Sequence, residues 1–246
     1  MIYYSHGDKG GVGKSMTSAV LLDYLLSKGG RQPMLIEGDA GQPDIALRYA
    51  DHVRVEAVNL NRAGDAEAAI MAFTDALESL GAGDIVVNLP AAAGDTLEQL
   101  AEVLIGAAQE LGHESRVFYT MGHTPTASKN AIKSFESGLV HNVGLANTCI
   151  VYPLFLGKVE NFDWVKSGLR DKYNAREIVM PAISPEELAQ VVLSAPGTFY
   201  ELSDKTTSPL KMSERLIFQS RFYVQQCPPS LFLTRSNKHE SVRYAK

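Results

Sequence analysis

The sequence predicts an α/β fold in which a largely parallel sheet is covered by helices on both faces, and three observations lead there. Short, continuous apolar runs alternate with longer stretches whose apolar residues recur at helical spacing, from residue 2 to about residue 193. Such runs suit strands buried on both sides, because right-handed crossovers lay helices over both faces of a parallel sheet. A glycine-rich loop joins the first apolar run to the first helical stretch. Finally, 246 residues with 45% hydrophobic and 21% charged side chains match one generous α/β domain rather than a disordered chain or a coiled coil.

The elements follow in order. Ile2 to His6 is short and aromatic-rich and runs directly into the loop Gly7 to Gly13, so it is read as a strand. From Lys14 to Ser27, Ala19, Leu22 and Leu26 recur at helical spacing beside Val20 and Leu25, and Gly29-Gly30 ends the run. Pro33 to Ile36 is a second strand leading to Glu37-Gly38-Asp39, followed by a short helix near Asp44 to Tyr49. Val53 to Val58 is a strand, Asp65 to Leu80 an Ala-rich helix, and Asp84 to Asn88 a compact strand broken by Pro90. Further strands fit Val117 to Thr120, Thr148 to Tyr152 and Ile178 to Met180, with helices near Thr96 to Leu111, Ala127 to Ser137 and Pro185 to Leu193. Beyond Pro196 the alternation lapses through Gly197 to Ser208, and one late helix is expected from Met212 to Tyr223, with Leu216, Ile217, Phe218 and Phe222 on its packed face. Residues 1–196 are thus read as the body and 197–246 as a helical appendage with a basic tail, in the same domain or packed on it.

The loop carries the chemistry. In Gly10-Gly11-Val12-Gly13-Lys14-Ser15-Met16 the glycines let backbone amides approach an anion, and the start of the following helix adds its own amides. Lys14 is placed to reach β- and γ-phosphates, and the Ser15 hydroxyl to ligate Mg²⁺. The alternative is an ordinary glycine-rich turn. A strict G-x-x-x-x-G-K-[ST] pattern fails at its first glycine, where Asp8 stands.

Lys9-Gly10-Gly11-Val12-Gly13-Lys14-Ser15 resembles the deviant Walker A motif, K-G-G-x-G-K-[ST], of the ParA/MinD family of P-loop ATPases. That resemblance implies a three-layer P-loop NTPase fold, ATP and Mg²⁺ as ligands, and homodimerisation on ATP binding. It implies a signature role for Lys9, reaching across the dimer to the partner's nucleotide; on chemistry alone Lys9 is equally a solvated loop cation. Leu35-Ile36-Glu37-Gly38-Asp39 looks like the family's strand ending in D-x-D, which implies that Asp39 orients the attacking water; otherwise Asp39 caps the nearby helix. Asp84 to Pro90 looks like the Walker B strand, with its terminal acid replaced by Asn88. An amide oxygen still accepts a hydrogen bond but brings no charge, so nucleotide binding should survive better than turnover. Glu37, one methylene longer than the family's Asp, is read as supplying the missing carboxylate to the magnesium's water shell, with Asn88 beside it. The order Pro181-Ala182-Ile183, then Thr198-Phe199-Tyr200 and a late Arg-bearing helix, is similar to the conjugal-transfer and plasmid-stability branch (TraL, StbB or MobD-like proteins). An ATP-dependent switch in DNA partition, maintenance or conjugal transfer is therefore expected. The alternatives are a nucleotide-sensing module with little hydrolysis and, more remotely, a metabolic enzyme on the same fold.

Charge is uneven. From Lys205 to Lys246 eight Lys and Arg face two acids, a surplus of six that leaves the rest of a chain of net charge −5 at −11. Lys211, Arg215, Arg221, Arg235, Lys238, Arg243 and Lys246 could touch DNA phosphates or an acidic protein face, or simply be solvated. Ser236 to Lys246 holds only Val242 and Tyr244 as large apolar residues, so membrane attachment is not expected. His6, His52, His113, His123, His141 and His239 are scattered without a ligand spacing, and Cys149 and Cys227 form no cluster or disulfide motif, which fits a reducing cytoplasm. No signal-peptide pattern opens the chain.

Overall fold

A computed structural model describes residues 1–7, 10–39, 41, 43–60, 66–90 and 94–223. The expectations for Asp8, Lys9, Cys227, Arg235, Lys238, Arg243 and Lys246 lie outside these residues. In chain order the strands are β1 (Ile2–His6), β2 (Met34–Glu37), β3 (Arg54–Ala57), β4 (Ile85–Asn88), β5 (Ser115–Thr120), β6 (Thr148–Pro153) and β7 (Arg176–Met180). The α-helices of the described residues are α1 (Lys14–Ser27), α2 (Asp44–Tyr49), α3 (Ala66–Leu80), α4 (Gly94–Glu110), α5 (Pro125–Ser137), α6 (Leu139–Val143), α7 (Asp163–Lys166), α8 (Leu169–Tyr173), α9 (Glu186–Ser194), α10 (Phe199–Ser203) and α11 (Met212–Phe218).

The seven strands form one parallel sheet in the order β3-β2-β4-β1-β5-β6-β7. Alternate residues of each strand face opposite sides, and β1 shows the result: Ile2 and Tyr4 join the core under α3, α4 and α5, whereas Tyr3 joins the core under α1 and α9. Because β1 lies between β4 and β5, with the chain running outward in both directions, the carboxyl ends of β1, β2 and β4 border a topological switch point, where open α/β sheets leave a crevice. Among the described residues no helix is long and apolar enough to cross a membrane.

The chain departs from the sequence reading at several places. Residues 199–203 form a helix, closed by a capping box in which the Thr198 side chain accepts from the Glu201 amide and the Glu201 carboxylate accepts from the Thr198 amide. The late helix is α-helical only to Phe218 and ends in a π-type turn over Gln219–Tyr223. Its packed face is narrower than expected: Phe218 and Phe222, four residues apart and stacked at 5.4 Å, bury against Phe199, while Leu216 and Ile217 fall off that face and stay exposed. Asp39 does not cap α2, which starts after Pro43 with no side-chain cap.

Candidate phosphate-binding site

β1 ends at His6 and α1 begins at Lys14, so Gly10 to Gly13 turn the chain within a few residues. Gly11 and Gly13 have φ of +78° and +101°, a region where a side chain is strained. At Gly13 a Cβ would also lie 3.0 Å from Met180 Cε and 3.2 Å from Phe155 Cε1. The first turn of α1 is fastened to the sheet beneath it. The Ser5 hydroxyl donates to the Lys14 carbonyl at 2.8 Å, the Thr17 hydroxyl donates to the Gly13 carbonyl at 3.1 Å, and Thr17 and Thr120 share a 3.1 Å hydroxyl contact. Lys14 is buried, Val12 packs inward, Met16 is half-buried, and Gly10, Gly11 and Ser15 are exposed.

The ends of β2 and β4 meet beside this turn. Glu37 and Asn88 are register partners across the β2–β4 ladder. The Asn88 amide donates to Glu37 Oε1 at 2.8 Å and accepts the Ser18 hydroxyl proton at Oδ1, at 2.9 Å. The Asp39 backbone amide donates to the same Glu37 oxygen at 3.1 Å. Glu37, Asn88 and Ser18 are all buried, and among the described residues Glu37 Oε2 makes no hydrogen bond of ordinary geometry. Burial pushes the Glu37 carboxyl up to about 7, against the pull of the Asp39 amide, the Asn88 side chain and the Ala46 amide. Asp39 itself is half-buried at the mouth, with Oδ1 accepting from the Gly41 amide at 3.3 Å. Ser15 and Ser18 are one helical turn apart and share a face of α1, so the exposed Ser15 hydroxyl stands on the side that carries the Ser18–Asn88 contact.

Behind the loop, His6 Nε2 and Glu98 Oε1 lie 2.8 Å apart, both buried, and Glu98 Oε2 accepts from the Leu139 amide at 2.6 Å. Burial alone would raise the Glu98 carboxyl, but His6 and the Leu139 amide outweigh it and hold it below the usual carboxylate range. Neither Ser18, Glu98 nor Phe155 stands out in the sequence. Ser18 sits 70 residues from its partner and Glu98 92 residues from its own. Among the described residues no group of three or more His, Cys, Asp or Glu could hold a metal ion.

Loop, sheet order and helical layers define a class of fold, the MinD-type P-loop architecture. MinD of Aquifex aeolicus superposes with a TM-score of 0.50 at 16% identity, over 88% of this chain and 93% of that one. The MinC:MinD complex from the same organism gives 0.51 at 15%, over 81% and 88%. A nucleotide-binding protein of Archaeoglobus fulgidus, solved with ADP, aligns at 0.47 and 14% identity over 84% of this chain and 93% of its own. In sequence, the chain is 40% identical to Protein MobD of Acidithiobacillus ferrooxidans over 62 residues, 25% of this chain. The match spans 27% of the length of MobD, about a quarter of that curated relative. No family profile matches the chain.

Proposed function

We propose that this chain is a ParA/MinD-like ATP-binding switch that dimerises with Mg-ATP, hydrolyses it slowly, and acts in DNA partition, maintenance or conjugal transfer. The observation that carries this reading is the buried Lys14 at the first residue of α1, behind a glycine turn whose backbone conformation only glycine adopts freely, at the switch point of the sheet. The likeness to MinD in fold and the short stretch shared with MobD support it. The donor set suits a hydrated divalent cation: among the described residues Glu37 Oε2 makes no hydrogen bond of ordinary geometry, and the exposed Ser15 shares a face of α1 with Ser18, which contacts Asn88. Ser15 would hold the cation directly, Glu37 and Asn88 through its waters, and the cation would neutralise charge on the phosphates. Lys14 would bind the β- and γ-phosphates, and Asp39 at the mouth would orient water for in-line attack. Phe155, half exposed against Gly13, offers a flat face suited to the base. Lys9 from each subunit would complete the other's site, and the exposed Lys211 and Arg221, with Arg215, would meet DNA or an acidic partner.

Calorimetry and sedimentation test the reading with ATP, ADP and no nucleotide. ATP with Mg²⁺ should bind and drive dimerisation where ADP does not, and Lys14→Ala should weaken ATP binding by about 10²-fold, the loss of a charge-assisted contact of roughly 3 kcal/mol. Uptake that survives Lys14→Ala unchanged would sink the proposal. A second reading, a sensing module with little or no hydrolysis, is favoured by the uncharged Asn88 whose amide is engaged on both sides; an ATP-dependent dimer without phosphate release would establish it.

A further inference from the structure

We infer that this chain self-associates head to tail, the acidic outer face of α3 and α4 on one copy receiving the basic, partly apolar face of α11 on the next. The inference names the acidic partner left open for Lys211, Arg215 and Arg221. It rests on that part of the proposed function and on no bound nucleotide.

Charge is segregated by layer. Between Ala63 and Ser115 the sequence has ten Asp and Glu and no Lys or Arg. That stretch contains α3, β4 and α4, and its two helices pack side by side over one face of the sheet. On α3 the exposed Glu67, Met71, Asp75 and Glu78 stand three and four residues apart, so they form one stripe along its outer side. Glu102, Val103 and Glu110 are exposed on α4. Met71 and Val103 are 67% and 51% exposed, set among carboxylates that no cation of α3 or α4 offsets. The late helix is the reverse. Phe218 and Phe222 bury against Phe199, which turns Met212 and Leu216, one turn apart, to the outside. Lys211 and Arg221 are exposed on the same segment and Arg215 is half-buried. Its one acid, Glu214, is engaged at the helix start, where the carboxylate accepts from the Lys211 amide at 2.9 Å.

The two faces cannot meet within one molecule. α3 and α4 cover the core that contains Ile2, whereas Phe218 and Phe222 of the late helix join the core on the other side of the sheet, with Tyr3. A patch whose complement lies on the far side of an identical molecule makes a heterologous contact, which repeats along a row of copies where a two-fold dimer would close. Size sets its strength. The 15 residues of α3 span about 22 Å, and two helices about 10 Å apart present roughly 400–500 Å², short of the ~800 Å² per partner of a stable interface. The contact is therefore weak and dependent on concentration. Exposed ion pairs add little each, so burial of Met71 and Val103 against Met212 and Leu216 supplies the attraction, while the opposite charges set its direction and make it sensitive to salt.

Sedimentation equilibrium of the full chain, in EDTA and without nucleotide, tests this at about 50 mM and about 500 mM salt. Two variants accompany the native chain: Met71→Lys/Asp75→Lys spoils the α3–α4 face, and Met212→Glu/Arg221→Glu spoils the α11 face. All four positions are exposed, so both variants should keep the native thermal midpoint to within a few degrees. At low salt the weight-average mass of the native chain should climb with concentration past twice the monomer without a plateau, and at high salt it should stay at the monomer. Each variant alone should remain monomeric. An equimolar mixture of the two should form a one-to-one dimer and go no further, because one intact α11 face then meets one intact α3–α4 face. A native chain that is monomeric at low salt, a native plateau at two copies, or a mixture as monomeric as its parts would overturn the inference. So would a monomeric native chain that binds a short DNA duplex when Met212→Glu/Arg221→Glu does not, since α11 then serves DNA. Failure of ATP to bind would remove the nucleotide switch and leave these masses, measured without it, to decide the contact between copies.

Discussion

Asp23 lies in the middle of α1 with 2% of its surface exposed. Burial pushes its carboxyl up from 3.8 to about 7, against the Tyr200 amide, the Tyr49 hydroxyl, the Phe199 amide and Arg48. A folded value above the unfolded one means that the folded chain holds the extra proton between them, so stability falls as pH rises from about 4 through about 7 and is level above that. Urea unfolding at pH 5 and pH 8 checks this: Asp23→Asn should shrink the difference between the two pH values by on the order of 3 kcal/mol. Glu37, shifted to about 7 by its own burial, adds to the slope in the same direction and should remain in the variant. An unaltered slope in Asp23→Asn would show that this acid ionises normally in the fold. Residues of this kind mark the limit of reading a chain by eye. Lys14, Ser15, Glu37 and Asp39 are legible because their motifs are contiguous, whereas Asp23 is one more polar residue in a helical pattern until α2 and α10 close over it.

At the scale of elements, α2 is tied to the end of α9 through Arg48. Its guanidinium donates to the carbonyls of Val192 at 3.0 Å, Leu193 at 2.8 Å and Gly197 at 2.9 Å, and its Cζ lies 5.2 Å from the centroid of the Phe199 ring. The carbonyls of a helix's last turn lack intrahelical partners, and a cation there also suits the helix dipole. Arg48→Ala should therefore lower unfolding stability by about 2 kcal/mol in urea titration. Arg48→Lys should recover little of it, because one ammonium cannot span the fork. A loss within error would mean that water replaces the guanidinium. The long elements were readable from apolar periodicity, with ends displaced by only a few residues. The short ones between residues 139 and 173 were not: α6, α7 and α8 have five, four and five residues, too few to show a period. α10 did leave a trace, since Thr198 and Glu201 stand at capping-box spacing.

For the molecule as a whole, a largely parallel sheet was implicit in the alternation, but strand order, with β1 between β4 and β5, was not, because it is fixed by contacts between segments far apart in sequence. Charge is likewise a whole-molecule property, with an acidic body and a basic end. If the late helix meets DNA, affinity should fall steeply with salt, and Lys211→Ala or Arg221→Ala should each reduce the slope of log K against log salt by about 1. A slope that neither substitution changes would place the contacts elsewhere. The imidazole of His6 and the carboxylate of Glu98 bear on how such a body can move. Leucines along α4 can trade one greasy neighbour for the next if the helix slides by a turn. A histidine and a glutamate locked together away from water cannot, since separating them strands a charge at a cost of about 3–5 kcal/mol. Any rearrangement that starts after β4 must therefore pivot about that point or carry the leading strand along, which makes the pair a fulcrum for α4.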